Sequence, residues 1–252
     1  LCAETREIFA IRSGAPLVCG TSAGDSRALV SSDPYALIGV CDRIYFPENE
    51  VLCHLSSANK DLLAFYELNG EVSSRYESKL QEASLDTVEK GGHEHYMLKE
   101  IHEQPGLVRS LCQYYFSGDG QSTLKEISKL KASKFYIVAC GTAYYAGLVV
   151  RDYLESITNT PCTMEFGSEF RYRNPILNKE AGDVALFISQ SGETADTLAS
   201  QQLCQDNGIK TFSLVNVEGS TLYRECDANL LIRAGIEIGV ASTKAFTQMG
   251  LT

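Results

Sequence analysis

From about residue 133 the chain alternates between short apolar runs and longer stretches with helical spacing. KFYIVAC, DVALFIS, KTFSLVNV and NLLIRAG are nearly continuous in apolar residues, and each is followed by a turn and then a helical pattern. Strands buried on both faces read this way, and their alternation with helices predicts a parallel sheet in a doubly wound α/β domain. Residues 1–80 differ. GAPLVCG, DRIYF, EVLCHLS and LLAFYELNGEVSSRYE are runs of strand formers separated by turn residues with no crossover helices, which predicts a small antiparallel layer. Asn69-Gly70 predicts a type I′ hairpin, and Asp33-Pro34 a turn or strand entry. Between the two parts, QEASLDTVEKGGHEHYMLKEIHEQP is polar and broken by Gly91-Gly92. Tyr96, Met97, Lys99, Glu100 and Ile101 fit one short helix ending before Pro105. A second helical stretch spans 107–130, interrupted by SGDGQST, with Ser122 or Thr123 as the cap of LKEISKL. The expected division is 1–80, a linker with connecting helices over 81–120, and 121–252. The joint is expected at 81–92, where glycines and polar residues leave the backbone few restraints.

Composition narrows the class. A chain of 252 residues with 44% hydrophobic and 21% charged residues is an ordinary globular protein of one or two domains, not a disordered one. The net charge of −10 argues against nucleic acid or an anionic membrane surface as partner, while a local pocket for one small anion is still allowed. The nine cysteines are odd in number and scattered, with no pair at CxxC spacing, so they read as buried thiols of a reducing cytosol. No apolar stretch reaches the roughly 18 residues of a membrane helix, and LCAETREIFA is not a signal peptide. A cytoplasmic protein is expected. The chain starts on Leu1 and stops inside the helical pattern AFTQMGLT, which reads as two cuts in a longer protein.

In a doubly wound sheet, ligands bind beyond the carboxyl ends of the strands. The residues there are Cys140-Gly141-Thr142-Ala143, Ser189-Gln190-Ser191-Gly192-Glu193-Thr194, Asn216-Val217-Glu218-Gly219-Ser220 and the loop from Gly235 to Thr243. SQSGET offers three hydroxyls at a helix start, where free N–H groups and the helix dipole favour an anion. It could also be an ordinary cap, with Ser189 or Ser191 as the capping residue. Hydroxyl and glycine clusters on two other strand ends, at 141–142 and 242–243, favour the anion. The chain has neither GxxxxGK[ST] nor GxGxxG, which argues against nucleotide sites.

VACGTAYYAGLVV, EFRYRNP, SQSGETADTL and EIGVASTKAFTQ resemble the glutamine–fructose-6-phosphate aminotransferases, whose sugar isomerase (SIS) domains are doubly wound sheets that bind phosphosugars. KGGHEHYMLKEIHEQP resembles that family's segment between glutaminase and isomerase. SGAPLVCG and the strands after it resemble the end of its Ntn-type glutaminase domain. The resemblance implies glutamine-dependent conversion of fructose 6-phosphate to glucosamine 6-phosphate without a cofactor, in a homodimer when the protein is full length. It implies that Thr142, Ser189, Gln190, Ser191 and Thr194 hold the phosphate, and that Cys140, Gly141, Val240 and Ser242 line the sugar. Where the family commonly reads CGTS, this chain has Ala143, which removes one hydroxyl contact.

The resemblance also implies what 1–252 does not carry. The family's nucleophile is an N-terminal cysteine, but Cys2 follows Leu1 and AETREIF does not read as the strand that bears it. The family's acid/base Glu, His and imine Lys belong to a second SIS domain. No residue here matches them, so no catalytic residue is assigned. Lys244 is read as a structural or phosphate-adjacent lysine rather than the imine lysine. His93, His95 and His102, with Glu94 and Glu103, lack the spacing of a tetrahedral metal set; His95 and His102 would share a helix face. Arg171 and Arg173 are expected to make ion pairs or an interface, with Glu169 as a partner. The rival function is a non-catalytic SIS regulator that senses phosphosugars, which a helix-turn-helix region would favour; none is visible. A truncated product that binds nothing stably is the third reading.

Overall fold

The structure is a computed structural model. It describes all residues except Ala15, Ala23, Asp25, Asp33, Lys60, Asp61, Ser74, Glu77, Ser78 and 81–88, and all described side chains except those of Tyr35, Lys79 and Leu80. Most of the expected joint, 81–88, therefore lies outside the described residues. The chain divides into two compact units, Leu1–Gly91 and Gly92–Thr252.

The first unit contains two antiparallel sheets rather than one layer. Strands β1 (Ile8–Ile11), β5 (Leu52–Leu55) and β6 (Leu63–Tyr66) form one, in the order β1-β5-β6. Strands β2 (Val18–Ser22), β3 (Arg27–Ser31), β4 (Arg43–Tyr45) and β7 (Lys79–Leu80) form the other, in the order β3-β2-β4-β7. Cys19, Tyr45, Val51, Cys53, Leu55 and Phe65 make one buried core cluster. Asn69-Gly70 does turn the chain after β6, but only Gly70 of the pair has a positive φ, +84°. The Gly70 N–H bonds the Glu67 carbonyl at 2.8 Å, and the Glu67 N–H bonds that of Glu71 at 2.9 Å. This is a type I turn closed by a left-handed glycine, the next commonest hairpin, and not the expected type I′.

The second unit is built on a five-stranded parallel sheet in the order β12-β11-β10-β8-β9. The strands are β8 (Phe135–Ala139), β9 (Cys162–Phe166), β10 (Val184–Ser189), β11 (Lys210–Val215) and β12 (Ala228–Leu231). Alternate residues feed two separate cores. Ile137, Ala139, Ile188 and Leu214 join Ala143, Ala146 and Met249 in one cluster. Tyr136, Val138, Phe187 and Val215 join Phe170, Cys204 and Leu222 in the other. Burial on both faces is why the strands are continuous in apolar residues.

Helix α1 (Tyr96–Ser117) differs from expectation by running through Pro105. Proline has no N–H to give the Ile101 carbonyl. Tertiary contacts hold the helix together instead, among them Gln248 Nε2 on the Leu107 carbonyl at 3.2 Å and the hydroxyl of buried Tyr115 on the Leu231 carbonyl at 2.9 Å. Helix α2 (Gln121–Ile127) has Gly120 at its N-cap, so Ser122 and Thr123 lie inside it and do not cap it. The remaining helices are α3 (Thr142–Thr158), α4 (Gly167–Phe170), α5 (Ala195–Asp206), α6 (Thr221–Glu225) and α7 (Lys244–Leu251). Helices α1 and α2 both lie in the second compact unit; the sequence division placed α1 in the linker and α2 in 121–252. Among the described residues no helix is long and apolar enough to cross a membrane.

Candidate active-site cleft

The chain leaves β8 for β9 on one side and enters β10 on the other, so the β8/β10 boundary is the switch point of the sheet. A crevice opens there beyond the carboxyl ends of the strands. It is a cleft of about 210 Å³ whose polar lining is Cys140, Thr142, Ser189, Gln190, Ser191, Thr194 and Ser242. Ala143, Ile188 and Met249 supply its apolar lining. Seven of the nine residues expected to bind sugar or phosphate are thus brought together. Gly141 is the N-cap residue of α3, next to the lining, with φ 57° and ψ −134°. Val240 is not in the cleft: its relative exposure is 107%, at the outer tip of its loop.

The loop after β10 is held from within. Ser189 Oγ accepts the Gly192 N–H at 3.0 Å and lies 3.2 Å from Thr194 Oγ1. Ser191 Oγ accepts the Glu193 N–H at 3.2 Å, which leaves its own hydrogen to give. Glu193 then accepts from the N–H of Thr221 at 2.8 Å and from its hydroxyl at 3.0 Å, tying the loop to α6. Gly192 has φ +68°, and a Cβ there would collide with Ser220 Oγ. Buried Ser189 therefore shapes the loop, while half-buried Ser191 lines the cleft. Helix α5 begins at Ala195 with no side-chain cap on its first N–H groups.

The loop from Gly235 to Thr243 is held by carboxylates. Glu237 accepts from Ser242 Oγ at 2.8 Å and from the Thr243 N–H at 2.9 Å. Glu100, from α1, accepts the N–H groups of Ile238 at 2.6 Å and Gly239 at 3.0 Å. Val240 lies between these two bonded stretches and is fully exposed. Lys244, 4% exposed, pairs with Glu103 at 2.6 Å, as the structural reading of that lysine requires.

The other candidates fall outside the cleft lining. Arg171 pairs with Asp196 at 3.3 Å, and Arg173 with Glu165, so neither takes Glu169 as its ion-pair partner. The Glu169 carboxylate instead accepts from Ser168 Oγ at 3.3 Å. His102 stacks on His93, centroids 5.3 Å apart, not on His95. Among the described residues no three His, Cys, Asp or Glu side chains converge on a metal-sized site. The thiol pKa of Cys2 is lowered, chiefly by a hydrogen bond with Thr5. Its nitrogen is a peptide amide joined to Leu1, which donates to the Glu7 carbonyl at 2.8 Å, and is therefore not a free α-amine that could act as base. All nine cysteines are free, and burial pushes the thiols of Cys204 and Cys226 up to about 12.

Residues 130–252 match the SIS domain family. Over 97% of its length the chain is 39% identical to the glutamine–fructose-6-phosphate aminotransferase (isomerizing) of Pectobacterium atrosepticum, of which it covers 40%. It is 40% identical to that of Pseudomonas aeruginosa over 97% of its length, again covering 40% of the relative. The chain is homologous to these aminotransferases. Among solved structures, the C-terminal domain of glucosamine-fructose-6-phosphate aminotransferase from Francisella tularensis matches 65% of this chain and 47% of its own. The identity is 39% and the TM-score 0.59. The chain thus spans about 40% of the length of the curated aminotransferases it matches.

Two residues of the SIS cleft escape a motif reading, and a third is legible in advance. Met249 reaches it from the far end of the sequence, on α7, and Ile188 is the last apolar residue of β10. Ala143 lines the cleft with a methyl group where relatives were expected to offer a hydroxyl. Met249 has a signal in the sequence, since it shares with Ala245 the apolar i, i+4 face of its helix.

Proposed function

We propose that the SIS cleft binds fructose 6-phosphate, and that this chain is the phosphosugar-binding part of a glutamine-dependent synthesis of glucosamine 6-phosphate. The phosphate takes its hydrogen bonds from Thr142, Gln190, Ser191 and Thr194, with Ser189 shaping the loop beneath them. The sugar lies between Cys140, Gly141 and Ser242. Val240 reaches it only if the loop moves. Residues 1–80 are the end of the glutaminase domain. Glutamine hydrolysis and the acid/base steps of isomerisation belong to parts of the longer protein. The observation that carries this reading is the hydroxyl-lined cleft at the switch point, with Ser191 in its lining and its hydroxyl so far used only as an acceptor, from the Glu193 N–H.

Titration calorimetry with fructose 6-phosphate tests it. Weak binding is expected, with inorganic phosphate competing. Ser191→Ala should weaken binding by about 1–2 kcal/mol, the worth of a hydrogen bond to a charged group, with the melting temperature unchanged. A folded sample that gives no heat with the phosphosugar overturns the proposal. The isolated chain should release no glutamate from glutamine, and release above a heat-killed control would return attention to Cys2.

A further inference from the structure

Glu100 lies on α1, 138 residues before Ile238, and its residue is 2% exposed. A carboxylate buried to that degree is costly unless hydrogen bonds compensate it. Its Oε1 accepts two backbone N–H groups, those of Ile238 and Gly239, at 2.6 and 3.0 Å. Its Oε2 is buried and has no hydrogen-bond partner. A Cβ on Gly239 would stand 2.5 Å from that oxygen. Gly239 is not among the residues with positive φ, so the carboxylate, and not the backbone torsion, is what excludes a side chain there. The next turn of the same loop is fixed by Glu237, which holds Ser242 and the N–H of Thr243. Ser242 lines the cleft.

We propose that Glu100 is a positioning residue for the sugar side of the cleft: by gripping Ile238 and Gly239 it sets the loop that presents Ser242. The inference rests on the phosphosugar reading of the cleft. The loop after β10 has its own internal bonds and does not depend on Glu100, so the phosphate side should be indifferent to it.

The test compares Glu100→Ala, Glu100→Gln, Gly239→Ala and the double variant E100A/G239A. Amide hydrogen exchange, read without ligand, should speed up at Ile238 and Gly239 by about tenfold in E100A and stay unchanged over 189–194. Affinity for fructose 6-phosphate should fall about tenfold while that for inorganic phosphate stays within about twofold. E100Q retains an acceptor oxygen and should recover most of both losses, which also keeps the test open if E100A folds poorly. Gly239→Ala should weaken sugar binding in the wild type and add nothing in the E100A background, because the oxygen it strikes is gone. Unchanged exchange at 238–239, equal cost of Gly239→Ala in both backgrounds, or parallel loss of sugar and phosphate affinity each overturns the inference. Wild-type protein that binds no phosphosugar overturns the cleft reading and this inference with it. Binding by wild type and E100A alike overturns this inference alone.

Discussion

The two rims of the cleft are made rigid in opposite ways. The 189–194 rim is a short loop whose own hydroxyls and glycine fold it onto itself, with outside ties of at most 30 residues: Glu193 to Thr221, the Asn216 N–H to the Gln190 carbonyl and the Leu222 N–H to the Gly192 carbonyl. The 235–243 rim depends on carboxylates, one of them reaching from α1 across 138 residues. The first kind of loop is a motif that carries its shape with it. The second borrows its shape from a neighbour, and its sequence alone does not say that it will be ordered.

The sharpest way to break the first rim is Gly192→Ala. The residue would have to hold φ +68° with its Cβ driven into Ser220, a combination of backbone strain and overpacking worth about 3 kcal/mol. Urea denaturation should show that loss, with phosphosugar binding lost as well. Breaking a support of the second rim should cost less. Glu103→Ala leaves Lys244 buried without that carboxylate, and because Glu103 is itself one-third exposed, about 2 kcal/mol of stability is expected. Lys244→Met in the E103A background should restore most of it, and fructose 6-phosphate affinity should survive in the double variant. Affinity lost with Lys244 alone would make that lysine a ligand. The smallest effect concerns the anchoring of α1. Tyr115→Phe removes a donor to the Leu231 carbonyl and an acceptor for the Leu231 N–H, about 1–2 kcal/mol by thermal unfolding. Burial raises the Tyr115 phenol from 10 to about 12. The folded state holds the proton more tightly than the unfolded one, so this contribution is intact below pH 10 and is lost as the pH rises from 10 to 12. The alkaline loss of stability should therefore be shallower in Tyr115→Phe.

The same contrast explains what could be read without a structure. The central strands of the parallel sheet stand out because both faces are buried. Strand β9 does not, since Thr163 and Glu165 interrupt its apolar run, whereas β12, also a half-buried edge strand, was legible from its continuous NLLI. Strand β3 is likewise short, opens on an exposed arginine and closes on a serine, which leaves only three apolar residues to read. Most of the polar cleft lining lies within a few residues of a strand end, where a local pattern reveals it. Val240 sits in such a pattern too, yet it is fully exposed between two stretches bonded by Glu100 and Glu237. Glu100 itself looked like one polar residue in a polar stretch. Its role depends on the helix continuing in register past Pro105, which local propensity forbids and packing supplies.

The long reach of α1 also orders events in time. Its bonds to Ile238, Gly239, Lys244 and Thr247 close loops of 138 to 143 residues. Contacts of that separation carry the largest closure entropy and tend to form late. During synthesis, helix α1 leaves the ribosome long before its partners exist, with the buried face around Glu100, Leu111 and Tyr115 still uncovered. The sheet can assemble strand by strand behind it, but the rim that carries Ser242 can set only once residues near 248 have emerged. Ligand competence would then be among the last properties the nascent unit acquires, and a chaperone or a ribosome pause acting before that point would meet a sheet without a finished cleft.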